Sequence, residues 1–521
     1  MQTCKITEKH RILSCAKAAA ADAAFTAAGG DLYAAMERAG RALFDAAAAR
    51  SEQTVYAAVA VVCGAGNNGG DGYICARLLH EARAFRVTVV MCAEPKSPLC
   101  VRAHAAARAA GVQIICPAAA ENYSFSEGVI VDAVFGTGFK GAMPDNAAGI
   151  IKKINAAREQ CVHIISADIP SGLGEGGVSD AFLLNCRGSG TFMPGSDACV
   201  RADETIVFSA YKFTNLLAAG RDLCGQIVVA DVGVPVPEGK DYLAGGAVFC
   251  KRPSFSHKGS YPGVYIAGGC AAYRGAAILA ARAAFAGGAG LVRIAADAEG
   301  ALVYPAAVSE ATLSVFESEN GFIQYAPSGL ERESAHFSNI LVGTGMGENP
   351  TAAAALEFFL STDKTVLIDA DGLNTLSKDL SLLKKKKARV ILTPHMKEFE
   401  RLSGVSVADC LADPVRYARG FAREYSVTLL LKNNSNIITD GDILYVTVSG
   451  TPALAKGGSG DVLAGLAAAV CDGGAETAAA VSYVHGLAGA AAGLRDGEIS
   501  TLPSAVIECL PSIIKQMTDD K

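Results

Sequence analysis

The hydrophobic pattern is one of short apolar runs that end in glycine-rich turns and alternate with longer amphipathic stretches. In the first half the runs at 55–63, 86–91, 129–133, 162–167, 204–208 and 226–230 predict strands. The stretches 31–49, 72–83 and 97–110 between and before them predict helices. After 260 the pattern restarts. A strand is predicted over 263–267 and a helix over 275–287, with further strands near 291–295, 339–342, 365–369, 389–393, 427–431 and 436–439. The last hundred residues are mostly helical and rich in alanine. Strands alternating with helices in both halves predict an α/β protein. The proline/glycine segment Gly233–Lys240 reads as a linker, which divides the chain into domains 1–240 and 241–521.

Composition narrows this picture. Hydrophobic residues are 51% and charged residues 19% of the 521, which excludes a disordered chain. The 56 glycines follow no collagen period and suggest tight turns with close backbone approaches to ligands. With 46 Lys+Arg against 52 Asp+Glu, a general nucleic-acid binder is not expected. The basic run Lys384–Lys387 reads as a solvated turn before a strand. None of the 16 cysteines lies within seven residues of another, so no zinc finger is expected and reduced, buried thiols are. No long uninterrupted apolar segment predicts a membrane span. The expectation is a soluble cytoplasmic protein that forms homo-oligomers and acts on small molecules, without nucleic-acid or membrane partners.

Candidate chemistry sits at predicted strand ends. The run 59–63 enters Gly64–Gly72, a strand, a glycine-rich turn and a helix start, which together can cradle an anion. The glycine order is not that of a dinucleotide fingerprint. Asp132 leads into the loop 133–141, and Asp168 into Pro170, Ser171 and Gly172. Ligands gather outside the carboxyl ends of parallel strands, so Asn68, Asp132, Asp168 and Ser171 can converge. Their oxygen donors suit a hard cation such as potassium. In the second half, Ala455–Gly465 places glycines before a helix start, where N–H groups can stabilise phosphoryl charge. Asp461, on the first turn, can accept a hydroxyl proton. No GK[ST] order follows, which excludes an ordinary Walker ATPase.

The segments Asn67–Asp71, Asp132–Gly138 and Asp168–Gly172 resemble the NAD(P)H-hydrate epimerase domain, with the likeness covering about 1–236. It implies a Rossmann-like three-layer fold that interconverts the R and S hydrates at C6 of the damaged nicotinamide ring. It also implies potassium on Asn68, Asp132 and Ser171. The substrate would be lined by Asn67, Asn68, Gly69, Gly70, Asp71, Gly136, Thr137, Gly138, Phe139, Lys140, Gly141, Ala142 and Asp168. Asp168 is the candidate acid/base group. The stretch 179–200 is longer than the family pattern and reads as a surface loop.

The second half is similar to the ribokinase-like ADP-dependent NAD(P)H-hydrate dehydratases. The likeness is carried by 257–259, 268–277, 287–290, 342–347, 368–374, 392–398, 431–432 and 455–465. It implies that Ala276, Gly345, His395 and Asp461 touch the hydrate, with Asp461 catalytic. Lys432, Asn433, Asn434, Ser435, Asn436 and Gly460 would hold ADP or ATP, with Mg2+. Asparagine at 433–434 departs from the family's usual glycine. His485 reads as a packed core histidine, while Asp369 and Asp371, which belong to that likeness, are equally open to reading as strand-end caps. The joint expectation is a bifunctional repair enzyme that epimerises NAD(P)HX and dehydrates the S form to NAD(P)H, yielding AMP and phosphate. The alternative is a ribokinase-type small-molecule kinase with an accessory domain.

Overall fold

The computed structural model describes residues 4–51, 58–139, 141, 143–160, 162–174 and 199–518. The chain divides into two compact units, Arg11–Gly239 and Lys240–Lys521, the first ten residues grouping with the later unit. The domain reading 1–240 therefore parts from the structure at its start.

The earlier unit is built on a seven-stranded sheet. Its order is Gln113–Ile115, Arg86–Met91, Ala58–Cys63, Val129–Ala133, His163–Ala167, Glu204–Phe208 and Gln226–Ala230. All neighbours run parallel. Buried residues alternate between its faces as the pleat requires. Val59, Val61 and Cys63 face a core with Leu43, Tyr73 and Leu79 from the helices Leu32–Ser51 and Asn67–Glu81. Ala60 and Val62 face the opposite core with Ile150, Ile151 and Ile154 of the helix Asp145–Arg158. A sheet between two helical layers is the three-layer arrangement expected. Lys140, Ala142 and residues 179–198 of the expected surface loop lie outside the described residues. That stretch ends on Cys199 and Val200, which are buried rather than exposed because they pack into the core.

The later unit carries a larger sheet. It runs Thr312–Val315, Leu291–Ala296, Gly263–Ala267, Asn339–Val342, Thr365–Ile368, Arg389–Leu392 and Thr428–Leu431, all parallel. Asn436–Thr439 then pairs antiparallel with its neighbours, followed by Leu444–Thr447 and Asp241–Phe249. Residues 4–10 lie next to that last strand in the sheet order, and Lys9 pairs with Glu476 at 3.0 Å. The alanine-rich C-terminal helices Ser459–Val470, Ala475–Asp496 and Pro503–Gln516, with Arg274–Ala286, pack on one face. Small side chains let two of these backbones close up: a methyl added at Gly465 would strike the Ala280 carbonyl. The basic run begins as the last turn of the helix Ser381–Lys385, and Lys386 is half-buried, donating to the Tyr425 carbonyl at 2.7 Å. It is thus not wholly solvated. Among the described residues no helix is long and apolar enough to cross a membrane.

Candidate active sites

In the earlier unit the strand order reverses between Ala58–Cys63 and Val129–Ala133, and the candidate residues cluster at the carboxyl ends there. The helix Asn67–Glu81 opens at once after the first of these strands, with Gly66 at its N-cap and no side chain capping it. Its leading N–H groups are thus free to meet an anion. The Asn68 Nδ2 is buried without a hydrogen-bond partner. Gly136 lies against that side chain: a methyl there would sit 3.1 Å from Asn68 Oδ1. The two expected substrate segments therefore meet. Thr137, Gly138 and Phe139 form a turn beside them, with the Phe139 ring 4.6 Å from that of Phe135, and Gly141 is exposed.

Asp132 is wholly buried. It accepts from the Ser166 hydroxyl at 2.8 Å, the Ser171 N–H at 2.9 Å, the Ser171 hydroxyl at 2.5 Å and the Val134 N–H at 3.3 Å. Burial pushes its carboxyl up, and these hydrogen bonds pull the other way. Among the described residues no lysine or arginine pairs with it. The Ser171 hydroxyl also accepts from the Phe135 N–H at 2.8 Å, which ties Asp132 to the loop beside Asn68. An all-oxygen set around a buried carboxylate without a cationic partner fits a hard monovalent ion.

Asp168 leaves its strand with φ of +64°, the left-handed region that a non-glycine residue rarely adopts. Several bonds hold it there. Its N–H donates to the Ile206 carbonyl, and its carboxylate accepts from the Phe208 N–H at 3.0 Å. The buried ammonium of Lys212 donates to the same carboxylate and, at 2.8 Å, to the Phe208 carbonyl. Asn215 Nδ2 holds the Asp168 carbonyl at 3.0 Å, while its Oδ1 accepts from the Lys212 N–H. Burial, then the charges of Asp168 and Asp22, push the Asp71 carboxyl well above the usual range. Asp22, on the helix Cys15–Ala27, is pushed up by burial and Asp168, against the pull of Lys212. Sequence reading found Asp168 and Asp71 but missed Lys212, Asn215 and Asp22. The one local signal was a lysine set between Ala210, Tyr211 and Phe213, an apolar setting for a charge.

In the later unit the helix Ser459–Val470 begins at the glycine loop as expected, and Asp461 lies in its first turn. Burial, then the charge of Asp369, raise the Asp461 carboxyl to about 7; Lys432 opposes and Asp371 adds to the rise. Lys432 donates to Asp369 Oδ1 at 2.9 Å, and so does the Thr393 hydroxyl. Burial would lower the ammonium, but Asp369 and Glu398 outweigh it and raise it. A methyl at Gly460 would lie 3.5 Å from Lys432 Nζ and 3.7 Å from Asp369 Oδ2. Lys432, Gly460 and Asp461 thus share one site, and Asp369 joins them. Asp371 serves the scaffold, accepting from the Gly347 N–H at 2.8 Å.

Gly345, at φ of +60°, lies against Ala276 and Tyr273: a methyl on it would come within 2.9 Å of the Ala276 Cβ. These two expected substrate residues are neighbours. His395 caps the helix Met396–Ser403, its Nδ1 accepting from the Lys397 N–H at 3.1 Å, with Glu398 bonding back to the His395 N–H at 2.8 Å. Burial and the neighbouring Lys432 lower its imidazole. The segment Lys432–Asn436 joins the site through Lys432. The Asn436 side chain is already spent on the Asn433 N–H and on Ser482, which leaves it less free for a nucleotide than the sequence suggests. The hydroxyls of Ser435 and Ser459 are buried without partners. His485 is buried, as a core histidine should be. Burial, then the charge of Lys432, hold it down to about 4 against the opposing Ser459 backbone, and its Nε2 has no partner. Among the described residues no group of three or more His, Cys, Asp or Glu is arranged to hold a metal. Mg2+ fits here as an ion carried in on phosphate oxygens, with Asp369 Oδ2 and Asp461 as the carboxylates at hand.

Comparison with known proteins agrees with this division. Residues 33–214 match the family model described as YjeF-related protein N-terminus, and 264–512 the model described as NAD(P)H-hydrate dehydratase. Relatives named bifunctional NAD(P)H-hydrate repair enzyme include that of Moorella thermoacetica, 30% identical over 89% of this chain and 88% of its own length. That of Pyrobaculum aerophilum is 32% identical over 88% and 89%, and that of Escherichia coli 30% over 94% and 91%. A ribokinase-like superfamily protein from Enterococcus faecalis has a similar structure, covering 52% of this chain and 93% of its own at 25% identity and a TM-score of 0.45. With matches of this length and identity across both units, the chain belongs to the family of bifunctional NAD(P)H-hydrate repair enzymes.

Proposed function

We propose that the earlier unit interconverts the R and S hydrates at C6 of damaged NADH and NADPH, and that the later unit dehydrates the S hydrate with ADP or ATP as phosphoryl donor. With ADP, the products are AMP, phosphate and the restored cofactor. Epimerisation requires a bond at C6 to open and re-form: as Asp168 takes the proton of the C6 hydroxyl, the C6–N1 bond opens with its electron pair passing to N1 to leave an aldehyde, which recloses from either face as the proton returns to oxygen. Asn67–Asp71 and Gly136–Ala142 line the hydrate, and Asn68, Asp132 and Ser171 hold potassium. Bound there, the ion supplies charge that offsets the buried Asp132.

Dehydration is slow because hydroxide leaves poorly. Phosphorylation of the C6 hydroxyl turns it into phosphate, a good leaving group, whose departure from C6 with loss of a proton from C5 restores the ring double bond. Asp461 takes the hydroxyl proton, while the N–H groups opening at Gly460 and the Lys432 ammonium receive the developing phosphoryl charge. Lys432–Asn436 and Gly460 hold the nucleotide; Ala276, Gly345 and His395 hold the hydrate. Mg2+, when bound, neutralises phosphate charge. The observation that carries the reading is Asp461: a carboxyl at about 7, on the first turn of a helix behind a glycine loop, is poised to accept a proton near neutrality. The test is the S hydrate with ADP or ATP, Mg2+ and K+, followed at the reduced-nicotinamide absorbance band. Asp461→Asn is expected to abolish recovery while leaving epimerisation intact; recovery at the unaltered rate contradicts the assignment.

A further inference from the structure

We propose that Lys212 is the positioning residue of the epimerase site: it selects Asp168, over the neighbouring buried carboxyl of Asp71, as the one that works ionised. This rests on the epimerase reading above. Asp168, Asp71 and Asp22 come from three separate elements: the end of the strand His163–Ala167, the helix Asn67–Glu81 and the helix Cys15–Ala27. Asp168 acts electrostatically on both Asp71 and Asp22, and Lys212 bonds to Asp168 and acts on Asp22. Asp71 and Asp168 are both more than nine-tenths buried, and Lys212 almost wholly so. Two buried carboxylates, with the exposed Asp22 beside them, cannot both be charged beside a single ammonium. Which one carries the charge is decided by which one the ammonium touches, and Lys212 Nζ bonds to Asp168.

The contact is built into the fold. The Lys212 N–H is fixed by Asn215 Oδ1 and its Nζ also by the Phe208 carbonyl, so the side chain has little freedom to reach Asp71 instead. Asn215 Nδ2 returns to the Asp168 carbonyl, so one short segment clamps both ends of Asp168 in its left-handed conformation. Asp71 shows the complementary state. Its carboxyl is bonded to no side chain or N–H among the described residues, and burial with its two acidic neighbours pushes it well above the usual range. Cys224, itself raised by burial, also senses Asp168 but stays uncharged. The site therefore sets a carboxyl bonded to an ammonium beside one that has no such partner, the kind of unlike pair that acid/base chemistry uses.

The test uses the full chain without nucleotide, so that the dehydratase is idle. R and S hydrates are separated over time, and the interconversion rate is measured from acid to alkaline pH. A base that must be ionised gives a rate that climbs as pH rises through its titration. In Lys212→Met the stabilising cation is gone, so that climb moves to higher pH by about one unit or more, and on the rising limb the rate at a given pH falls about tenfold or more. Lys212→Arg keeps the charge and restores the position of the climb. Asp22→Asn removes a like charge and moves the climb to lower pH; this variant also serves if Lys212→Met does not fold. A Lys212→Met profile lowered equally at every pH, or an Asp22→Asn climb that stays put or rises, overturns the proposal. An unaltered chain that fails to interconvert the hydrates instead overturns the epimerase reading beneath it.

Discussion

Each unit holds a buried aspartate–lysine pair at the end of a parallel strand, and the two pairs do different jobs. In the earlier unit Lys212 bonds to Asp168, the carboxyl expected to move the proton. In the later unit Lys432 bonds to Asp369, and the carboxyl expected to move the proton, Asp461, is left without that bond and rises to about 7. A paired carboxylate stays ionised; an unpaired one beside another acid shares the neutral range with its proton. The difference suits the chemistry proposed for each. The ammonium that is free of the working base in the later unit lies by Gly460, where it can serve phosphate.

The comparison can be broken in several ways. The largest expected effect is on dehydration: Asp461→Asn should lower its rate by about 10²- to 10⁴-fold, measured as nucleotide-dependent recovery of reduced-nicotinamide absorbance. Asp369→Asn should come next. It leaves Lys432 buried without its partner, which on the scale of broken buried pairs costs about 3 kcal/mol, read by denaturant unfolding. It also removes the charge that, after burial, most raises Asp461. The dehydration rate, which climbs as Asp461 ionises near pH 7, should then climb at lower pH. An unmoved climb would separate Asp461 from Asp369 and end the comparison. The Asp132→Ala change should destabilise the earlier unit by about 1–3 kcal/mol, because it strands donors on Ser166, Ser171 and Val134. It should also abolish any potassium dependence of epimerisation, checked by titrating KCl against an inert salt. The smallest effect expected is that of Gly465→Ala. It pushes the helix Ser459–Val470 off the Ala280 backbone for about 1–3 kcal/mol of overpacking, read from unfolding and from the apparent affinity for nucleotide.

What the sequence disclosed follows the range of the forces involved. The strands Arg86–Met91, Val129–Ala133 and Glu204–Phe208 sit at the residues their apolar runs predict, because burial on both faces writes itself into consecutive residues, and the partly exposed edge strand Gln226–Ala230 also sits at its run. Asp132, Asp168 and Asp461 were legible for the same reason: each follows an apolar run or a glycine loop within a few positions. Lys212 was not, since its partner is 44 residues away and its own strand, Tyr211–Lys212, is too short to show a period. The strand Cys4–Leu13 was missed because charged residues occupy its middle, and its neighbour in the sheet is Asp241–Phe249, far along the chain. Asp369 looked like a strand-end cap because nothing local tells a cap from an ion pair made with residue 432. His395 turned out to be both at once: a helix cap by its Nδ1 and a neighbour of Lys432.

The central claim is that two separately wired carboxyls on one chain carry two successive reactions. Its most direct test is a mixture of R and S hydrates given to the full chain with ADP or ATP, Mg2+ and K+, with reduced-nicotinamide absorbance followed to completion. The unaltered chain should restore the whole mixture, Asp168→Asn should stop once the S form is consumed, and Asp461→Asn should restore nothing while still interconverting the epimers. Complete restoration by Asp168→Asn at the unaltered rate, or any nucleotide-dependent restoration by Asp461→Asn at that rate, would contradict it.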